Sequence, residues 1–310
     1  MPSIVTITFN PAIDKSTTIS ALIPEKKLKC TDPVFEPGGG GINVARAIKK
    51  LGGTATAIYF AGGYSGKFLT QLLDKEAIPS IVIESQNHTR ENLIVRDLSS
   101  GQQYRFGMPG PSINAEEWQR CLQEIEALKE AEYIVASGSL PAGIPADIFA
   151  RIAGIAKLKK AKFIVDTSGD ALKYAMQEGV YLLKPNLGEL SLLAGQDELD
   201  GNQAVTFAKD LINKGNCEVL VVSMGAAGAM LVSKNEMHRI VPPLVKRNST
   251  VGAGDSMLAG IILSLSKQNT LLQALQYGVA CGTAATMNPG TQLCNLEDAK
   301  KLFAIITASG

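Results

Sequence analysis

The sequence predicts an α/β fold in which a largely parallel sheet is wound with helices on both faces. Three observations carry that prediction. Short β-branched apolar runs alternate with segments of helical spacing, most of those runs are apolar on both faces, and no repeat, low-complexity tract or linker divides the 310 residues. Strands buried on both faces belong to parallel sheets covered by helices, and their alternation with helices is that of βαβ units.

In chain order, "SIVTITF", "ATAIYFAG", "EYIVASG", "KFIVDTSG", "VYLLKPN" and "EVLVVSMG" read as strands. Segments 42–51, 65–76, 114–130, 145–159 and 202–214 carry apolar residues at helical spacing, with stops at glycines such as Gly52 and Gly215. From Gly252 to about Met287 the chain reads as two apolar helices broken near "SKQNT". Two stretches, about 15–36 and 88–108, depart from the alternation, and in the second "ENLIVRD" and "GQQYRF" form a hairpin pattern around "SSG". They pair either as a small separate sheet, a lid over the strand ends where ligands of open α/β sheets bind, or as an ordinary surface hairpin. The expectation is one domain over 1–310 with that lid.

Composition excludes several classes. Hydrophobic residues are 45%, charged residues 19%, and the formal charge is +1, so no net field draws the chain to nucleic acid and anions must be held by local sites. The longest apolar stretches fall short of the roughly 20 residues a bilayer span needs, so no membrane partner is expected. Five scattered cysteines without C-x-x-C spacing, and a start that lacks the order of a signal peptide, place the chain in the cytoplasm. The two histidines, His88 and His238, lie outside any zinc or triad pattern. Chemistry therefore runs on carboxylates, lysines, arginines and backbone amides.

Several motifs supply those groups. "STVGAGDSML" sets Asp255 at the start of an apolar helix, as a cap or as a functional carboxylate. "EPGGGGINVARAIKKLG" places four glycines, Gly38 to Gly41, before a helix, which lets a ligand approach the backbone and the free N–H groups. "LLKPNLGEL" puts Asn186 and Glu189 three apart on one face of a helical turn, either as a cap or as hard oxygen ligands for a hydrated Mg²⁺. "VVSMGAAGAMLV" reads as two strands joined through Gly225 and Gly228, a plain hairpin or a phosphate shelf. "AGGYSGKF" fails as a P-loop, since Ala61 and Phe68 stand where glycine and Ser/Thr are required, and reads as a helix entry. Lys27, Arg90 and Arg105 fall in or beside the lid stretches, as solvated charges or as a phosphate clamp.

Taken together, "NPAID", "VFEPGGGGINVARAI", "QYRFGMPG", "SGSLP", "LLKPNLGEL", "NSTVGAGDSM" and "GTAATMNPGTQLC" resemble the PfkB family of the ribokinase superfamily of sugar kinases over essentially the whole chain. The resemblance implies a ribokinase-like three-layer α/β/α sandwich with a small β-sheet lid. It implies transfer of the ATP γ-phosphoryl group to a sugar hydroxyl, with Asp255 as base and the Gly252, Ala253 and Gly254 amides as an anion hole. Asp14 and the loop Gly39, Gly40, Gly41 and Asn43 would then bind sugar hydroxyls, while Arg90, Asn92, Arg105 and Ser139 surround the sugar phosphate and Lys27 reaches towards phosphates. Asn186 and Glu189 would organise Mg²⁺ through water. Lys184, Ser223, Gly225 and Gly228 would line the ATP site together with Asn186 and Ser249, and the loop carbonyls of Ser249, Val251, Ala285, Asn288 and Gly290 would hold a monovalent cation such as K⁺. The family pattern also implies a homodimer through the lid.

Within the family, the branches acting on fructose 1-phosphate and tagatose 6-phosphate typically carry lysine in the third position of the glycine run, where this chain has Gly40. The resemblance is thus greatest to the branch that phosphorylates the 1-hydroxyl of fructose 6-phosphate in glycolysis. The rival expectations are a tagatose-6-phosphate or 1-phosphofructokinase of the same fold, and a non-catalytic sugar-phosphate sensor.

Overall fold

Residues 3–308 are described by a computed structural model. The first third of the chain contains β1 (Ile4–Thr8), β2 (Ala12–Ile19), β3 (Val34–Gly38), α1 (Gly40–Lys50), β4 (Thr56–Ala61), α2 (Gly63–Lys75), β5 (Ser80–Glu84), β6 (Arg90–Asp97) and β7 (Gln103–Phe106). The alternation continues through α3 (Ala115–Ala127), β8 (Tyr133–Ser137), α4 (Ile148–Leu158), β9 (Lys162–Asp166), α5 (Gly169–Glu178), β10 (Val180–Leu183), α6 (Leu187–Leu193), α7 (Gly201–Asn213) and β11 (Cys217–Ser223). It ends with β12 (Ala229–Ser233), β13 (Met237–Ile240), α8 (Ala253–Ser266), α9 (Leu271–Thr286) and α10 (Leu296–Ala308).

The main sheet has the order β13-β12-β11-β10-β9-β8-β1-β4-β5. From β5 to β11 neighbouring strands are parallel, and β12 and β13 add an antiparallel edge. β1 and β8, central in that order, are buried along their whole length, as strands covered on both faces must be. One apolar cluster joins Ile42 and Ile48 of α1 and Leu69 of α2 to Leu258 and Ile262 of α8, Val279 of α9 and Leu302 of α10. The other joins Ile125 of α3, Phe149 of α4, Leu172 of α5, Leu190 of α6 and Leu211 of α7. Helices thus cover both faces of the sheet, giving the three layers expected.

α8 is buried continuously from Leu258 to Ser266, which explains why its sequence shows no polar stripe. It packs closely on α9: a Cβ added at Gly260 would stand 2.7 Å from Cys281 Sγ. The strand β5 and the helices α5 and α10 are absent from the sequence-based assignment. β5 is a five-residue edge strand with only Ile83 buried, so its apolar signal is weak.

A second sheet, in the order β3-β2-β6-β7, stands beside the first. β2 pairs in parallel with β6 from Ala12↔Arg90 to Ile19↔Asp97, and antiparallel with β3 from Ala12↔Gly38. The predicted stretches 15–36 and 88–108 therefore do converge, and their first strand begins at Ala12, because Ala12 is paired on both sides. β6 and β7 form the expected hairpin.

One buried ionic cluster fastens this sheet to the helical layer. Arg46 of α1 is only 2% exposed, donates from Nη2 and Nε to Glu76 at 2.6 Å and 2.9 Å, gives a third N–H to Pro37 O, and lies 3.5 Å from Glu36 of β3. Glu36 in turn accepts a hydrogen bond from the Thr291 hydroxyl. Removing one partner of a buried ion pair strands the others, so Arg46→Ala is expected to lower the unfolding free energy by about 3 kcal/mol. Urea unfolding reads this, and a loss under about 1 kcal/mol would mean the cluster behaves as an exposed pair.

Candidate active site

The candidate site lies where the parallel strands end and α8 begins. Gly252 turns the chain into α8 with φ of 71°, and a Cβ there would meet Leu293 Cδ2 at 2.6 Å. A side chain is excluded on both counts. Among the described residues the Gly252 and Gly254 amides make no hydrogen bond, and Ala253 N makes only a long 3.5 Å bond to Thr250 O. Free donors are thus presented at the positive end of a fourteen-residue helix.

Asp255 stands in the first turn of that helix, and its Oδ2 accepts a 2.9 Å hydrogen bond from Asn43 Nδ2 of α1. Burial, and next the negative charge of Asp166, push its carboxyl up to about 6, against the hydrogen bond from Asn43 and the charge of Lys184. At pH 7 it is still ionised by about ten to one. Lys184 follows β10; it is 6% exposed and its Nζ lies 3.1 Å from Asp166 Oδ1. Burial alone would lower its ammonium, but the charge and hydrogen bond of Asp166 outweigh that and hold it above its ordinary value. A Cβ at Gly254 would come within 3.5 Å of Lys184 Nζ, so the ammonium sits beside the free amides.

Asp166, which closes β9, was not among the residues picked out from the sequence. The signal for it is there: "KFIVD" ends an apolar parallel strand on a charge, at the sheet edge where ligands bind. Asp166, Glu189 and Asp255 all line one cavity of about 240 Å³, with Gly40, Ser137 and Ser139 on its other wall. These are hard oxygen donors. Among the described residues no three acidic, histidine or cysteine side chains converge tightly enough to enclose a bare ion, and the set suits a cation that keeps water and phosphate ligands, as Mg²⁺ does.

Asn186 and Glu189 form the cap that one of the two sequence readings expects. Asn186 Oδ1 accepts from Glu189 N at 2.8 Å and Glu189 Oε2 accepts from Asn186 N at 2.9 Å, a reciprocal cap of α6. Among the described residues Glu189 Oε1 makes no hydrogen bond, and Glu189 lines the cavity.

At the other end, Asp14 of β2 accepts a 2.8 Å hydrogen bond from Asn92 Nδ2 of β6, its cross-strand neighbour. Burial raises the Asp14 carboxyl, countered by that bond and by Arg90. Arg90 itself is fixed by three carbonyls, Asn10 O at 2.9 Å, Met108 O at 3.1 Å and Pro11 O at 3.3 Å. Asn92 Oδ1 accepts from Met108 N, and Ser139 Oγ accepts from Asn10 Nδ2 at 3.0 Å. Arg105 reaches from β7 to Thr250 Oγ1 at 3.3 Å, two residues before Gly252. Lys27 is exposed on the connection from β2 to β3 and makes no contact with the others. Arg90 and Arg105 keep separate partners, so no contact joins the three basic residues expected to converge.

The glycine run wraps these groups closely. Gly39 caps α1 with φ of 110°. A Cβ at Gly40 would stand 2.8 Å from Gly138 N and against Ser137 Oγ, and one at Gly41 would stand 2.6 Å from Thr8 Oγ1. A lysine at position 40 would displace the segment after β8.

On the far side, β11 and β12 form an antiparallel hairpin whose 3-10 turn spans Gly225–Ala227 and closes through Met224 N to Gly228 O. Ser223 bridges Asn186. The loops proposed for a monovalent cation are joined to each other: Ser249 Oγ donates to Gly290 O at 2.6 Å and accepts from Val251 N, while Ala285 O accepts from Asn288 N.

Residues 4–299 match the model of the pfkB family of carbohydrate kinases. ATP-dependent 6-phosphofructokinase isozyme 2 of Escherichia coli is 42% identical over 308 residues, 99% of this chain and 100% of that protein. The 1-phosphofructokinase of Bacillus subtilis is 31% identical, covering 92% of this chain and 93% of its own. Among solved structures, Escherichia coli phosphofructokinase-2 with fructose 6-phosphate superposes with a TM-score of 0.94 at 40% identity, over 99% of this chain and 100% of that one; its potassium complex gives 0.96 at 42% identity with the same coverage. The family match and the shared full-length architecture place this chain in the pfkB family of carbohydrate kinases.

Proposed function

We propose that the protein is an ATP-dependent 6-phosphofructokinase, transferring the γ-phosphoryl group of Mg·ATP to the 1-hydroxyl of fructose 6-phosphate to give fructose 1,6-bisphosphate and ADP. The observation that carries this is the juxtaposition at the start of α8: an ionised Asp255, free Gly252 and Gly254 amides, and the Lys184 ammonium beside them. Full-length similarity to a 6-phosphofructokinase and the lack of space for a side chain at Gly40 support the choice of substrate.

In this reading Asn43 orients the Asp255 carboxylate, which takes the proton of the sugar hydroxyl at Oδ as the new P–O bond forms. The Gly252, Ala253 and Gly254 amides and Lys184 face the negative charge of the transferring group, where positioned donors matter more than basicity. Asp14 and Asn92 hold sugar hydroxyls, and Arg90, Arg105 and Ser139 face the sugar phosphate. Mg²⁺, when bound with the nucleotide near Glu189 and Asn186, supplies charge neutralisation. The second sheet serves as the lid of a single kinase domain, and Arg105 ties it to the loop before the amides. K⁺, with which the Escherichia coli protein has been solved, would lie between the Ser249 and Gly290 loops.

The lid bears Ile23 at 42% exposure, Val34 at 55%, Leu98 at 60% and Phe106 at 44%. Exposed apolar side chains on the small sheet and its connections suit burial against a second copy, and we assign a homodimer through them; the Escherichia coli relative also has a tetrameric inhibited form. The five free cysteines fit a reducing cytoplasm.

The deciding assay compares fructose 6-phosphate, tagatose 6-phosphate and fructose 1-phosphate as acceptors from Mg·ATP, with Asp255→Asn as control. Fructose 6-phosphate is expected to give the highest kcat/KM, and the control to lose at least about 100-fold in kcat, the range of general-base catalysis. Higher kcat/KM with another sugar phosphate would move the assignment to that branch.

Because the base must be ionised, kcat/KM is expected to fall below a pH near 6, with that limb absent from the residual activity of Asp255→Asn. The linkage has the opposite sign for stability. A carboxyl raised in the folded state contributes most when protonated and loses that contribution as pH rises through its folded value, so Asp255→Asn should show a higher Tm than wild type at pH 7.5. An equal or lower Tm would contradict the burial of this charge.

Glu189→Gln keeps an oxygen for the α6 cap while removing the charge. It should raise the Mg²⁺ concentration for half-maximal rate by about tenfold without changing Tm by more than a few degrees, and an unchanged Mg²⁺ dependence would remove Glu189 from the cation site. Ile23→Asp should shift the sedimentation of the protein from dimer to monomer; a dimer that persists would place the interface elsewhere.

A further inference from the structure

Asn10 follows β1 and is 8% exposed, yet none of its polar atoms serves a secondary-structure element. Its side-chain Nδ2 donates to Ser139 Oγ at 3.0 Å, in the loop after β8. Its main-chain carbonyl accepts one arm of Arg90, at the start of β6, at 2.9 Å. The segment after β7 closes over the amide so tightly that a Cβ at Gly110 would press on Asn10 Oδ1 and stand 2.8 Å from Cγ. The glycine run touches it too, a Cβ at Gly39 lying 3.6 Å from Asn10 O. Four segments far apart in sequence thus meet on one residue.

The other end of the amide, Oδ1, is buried with no protein partner. A buried amide oxygen left unpaired costs about 1–3 kcal/mol, so the residue is kept here by what its other polar atoms hold, Ser139 and Arg90. Neither an element's termination nor core packing explains a polar residue here, since the apolar residues of β1 already fill both faces of the sheet.

We propose that Asn10 is a positioning residue for the phosphate end of the sugar site: it holds the Ser139 hydroxyl through its side chain and the Arg90 guanidinium through its main-chain carbonyl, in one place. This rests on the assignment of Ser139 and Arg90 to the sugar phosphate made above. The main-chain bond to Arg90 survives any substitution, so side-chain variants isolate the link to Ser139.

The test measures KM for fructose 6-phosphate and for ATP, and fructose 6-phosphate binding by calorimetry, in wild type, Asn10→Ala, Asn10→Asp, Ser139→Ala and the Asn10→Ala/Ser139→Ala double variant. Loss of one buried hydrogen bond predicts a rise of about tenfold in KM for fructose 6-phosphate with Asn10→Ala, with KM for ATP nearly unchanged. The double variant should be no worse than the poorer single one, because both changes break the same bond. Asn10→Asp should weaken fructose 6-phosphate more than unphosphorylated fructose, because the added charge stands beside Ser139 at the phosphate end. A purely structural role predicts equal effects on both substrates. That pattern, or single effects that multiply in the double variant, would overturn the proposal. Wild type that binds ATP but no sugar phosphate would overturn the parent assignment and this one together, and is recognised before any variant is compared.

Discussion

The ion pair between Lys184 and Asp166, 3.1 Å apart at the ends of neighbouring strands, is the interaction on which the site depends. Three carboxylates, Asp166, Glu189 and Asp255, line one small cavity, and unpaired charges in such a place would neutralise themselves by proton uptake. The buried ammonium pairs with Asp166, and its charge restrains the rise of Asp255. It also occupies the space that Gly254 leaves open, so the residue that balances the carboxylates is the one that meets the free amides. Negative groups in the cavity still exceed positive ones by two. Such a site repels a bare polyphosphate and accepts one that brings its own divalent cation, which is why the metal–nucleotide complex, not the free nucleotide, fits as substrate.

Features encoded by local chemistry were legible in the sequence. The helix start at "GAGDS", the glycine run before α1, the β6–β7 hairpin and the spacing of Asn186 and Glu189 all depend on residues within a few positions of one another. The strands buried on both faces gave the sheet and its layers for the same reason. Asp255 was legible as a candidate, but its surroundings were not: Asn43, 212 residues away, fixes its orientation, and burial, then the charge of Asp166, raises its carboxyl. Those partners are products of topology, brought together because β9, β10 and α8 end at one edge. Arg90 shows the same limit. Its charge suggested an anion clamp, while the structure places three of its donors on carbonyls, so it fixes the loops around it.

The two readings of Asn186 and Glu189, cap and cation site, turned out not to compete. A carboxylate has two oxygens, and the cap uses one of them. Capping holds the side chain in a single rotamer, which is what a site for a loosely held hydrated cation needs from its protein ligand. The stabilising role is thus compatible with the proposed one. The glycines behave similarly, since Gly40 is small because the segment after β8 packs against it, and the same closeness denies the position to a lysine.

The buried Arg46 cluster carries this logic to the second sheet. Glu76, Arg46, Glu36 and Thr291 form a chain that runs from the end of α2 through α1 and β3 to the loop before α10, and Arg46 also holds Pro37 O at the mouth of the glycine run. Asn43, which orients Asp255, lies three residues before Arg46 on α1, one turn of the same helix. A displacement of β3 therefore loads the turn that carries Asn43, and interiors packed this densely transmit strain instead of absorbing it. The position of the small sheet and the orientation of the carboxylate are coupled through a single helical turn, whose two anchoring side chains are both polar, both held by hydrogen bonds, and both supplied by the motif that begins at the glycines.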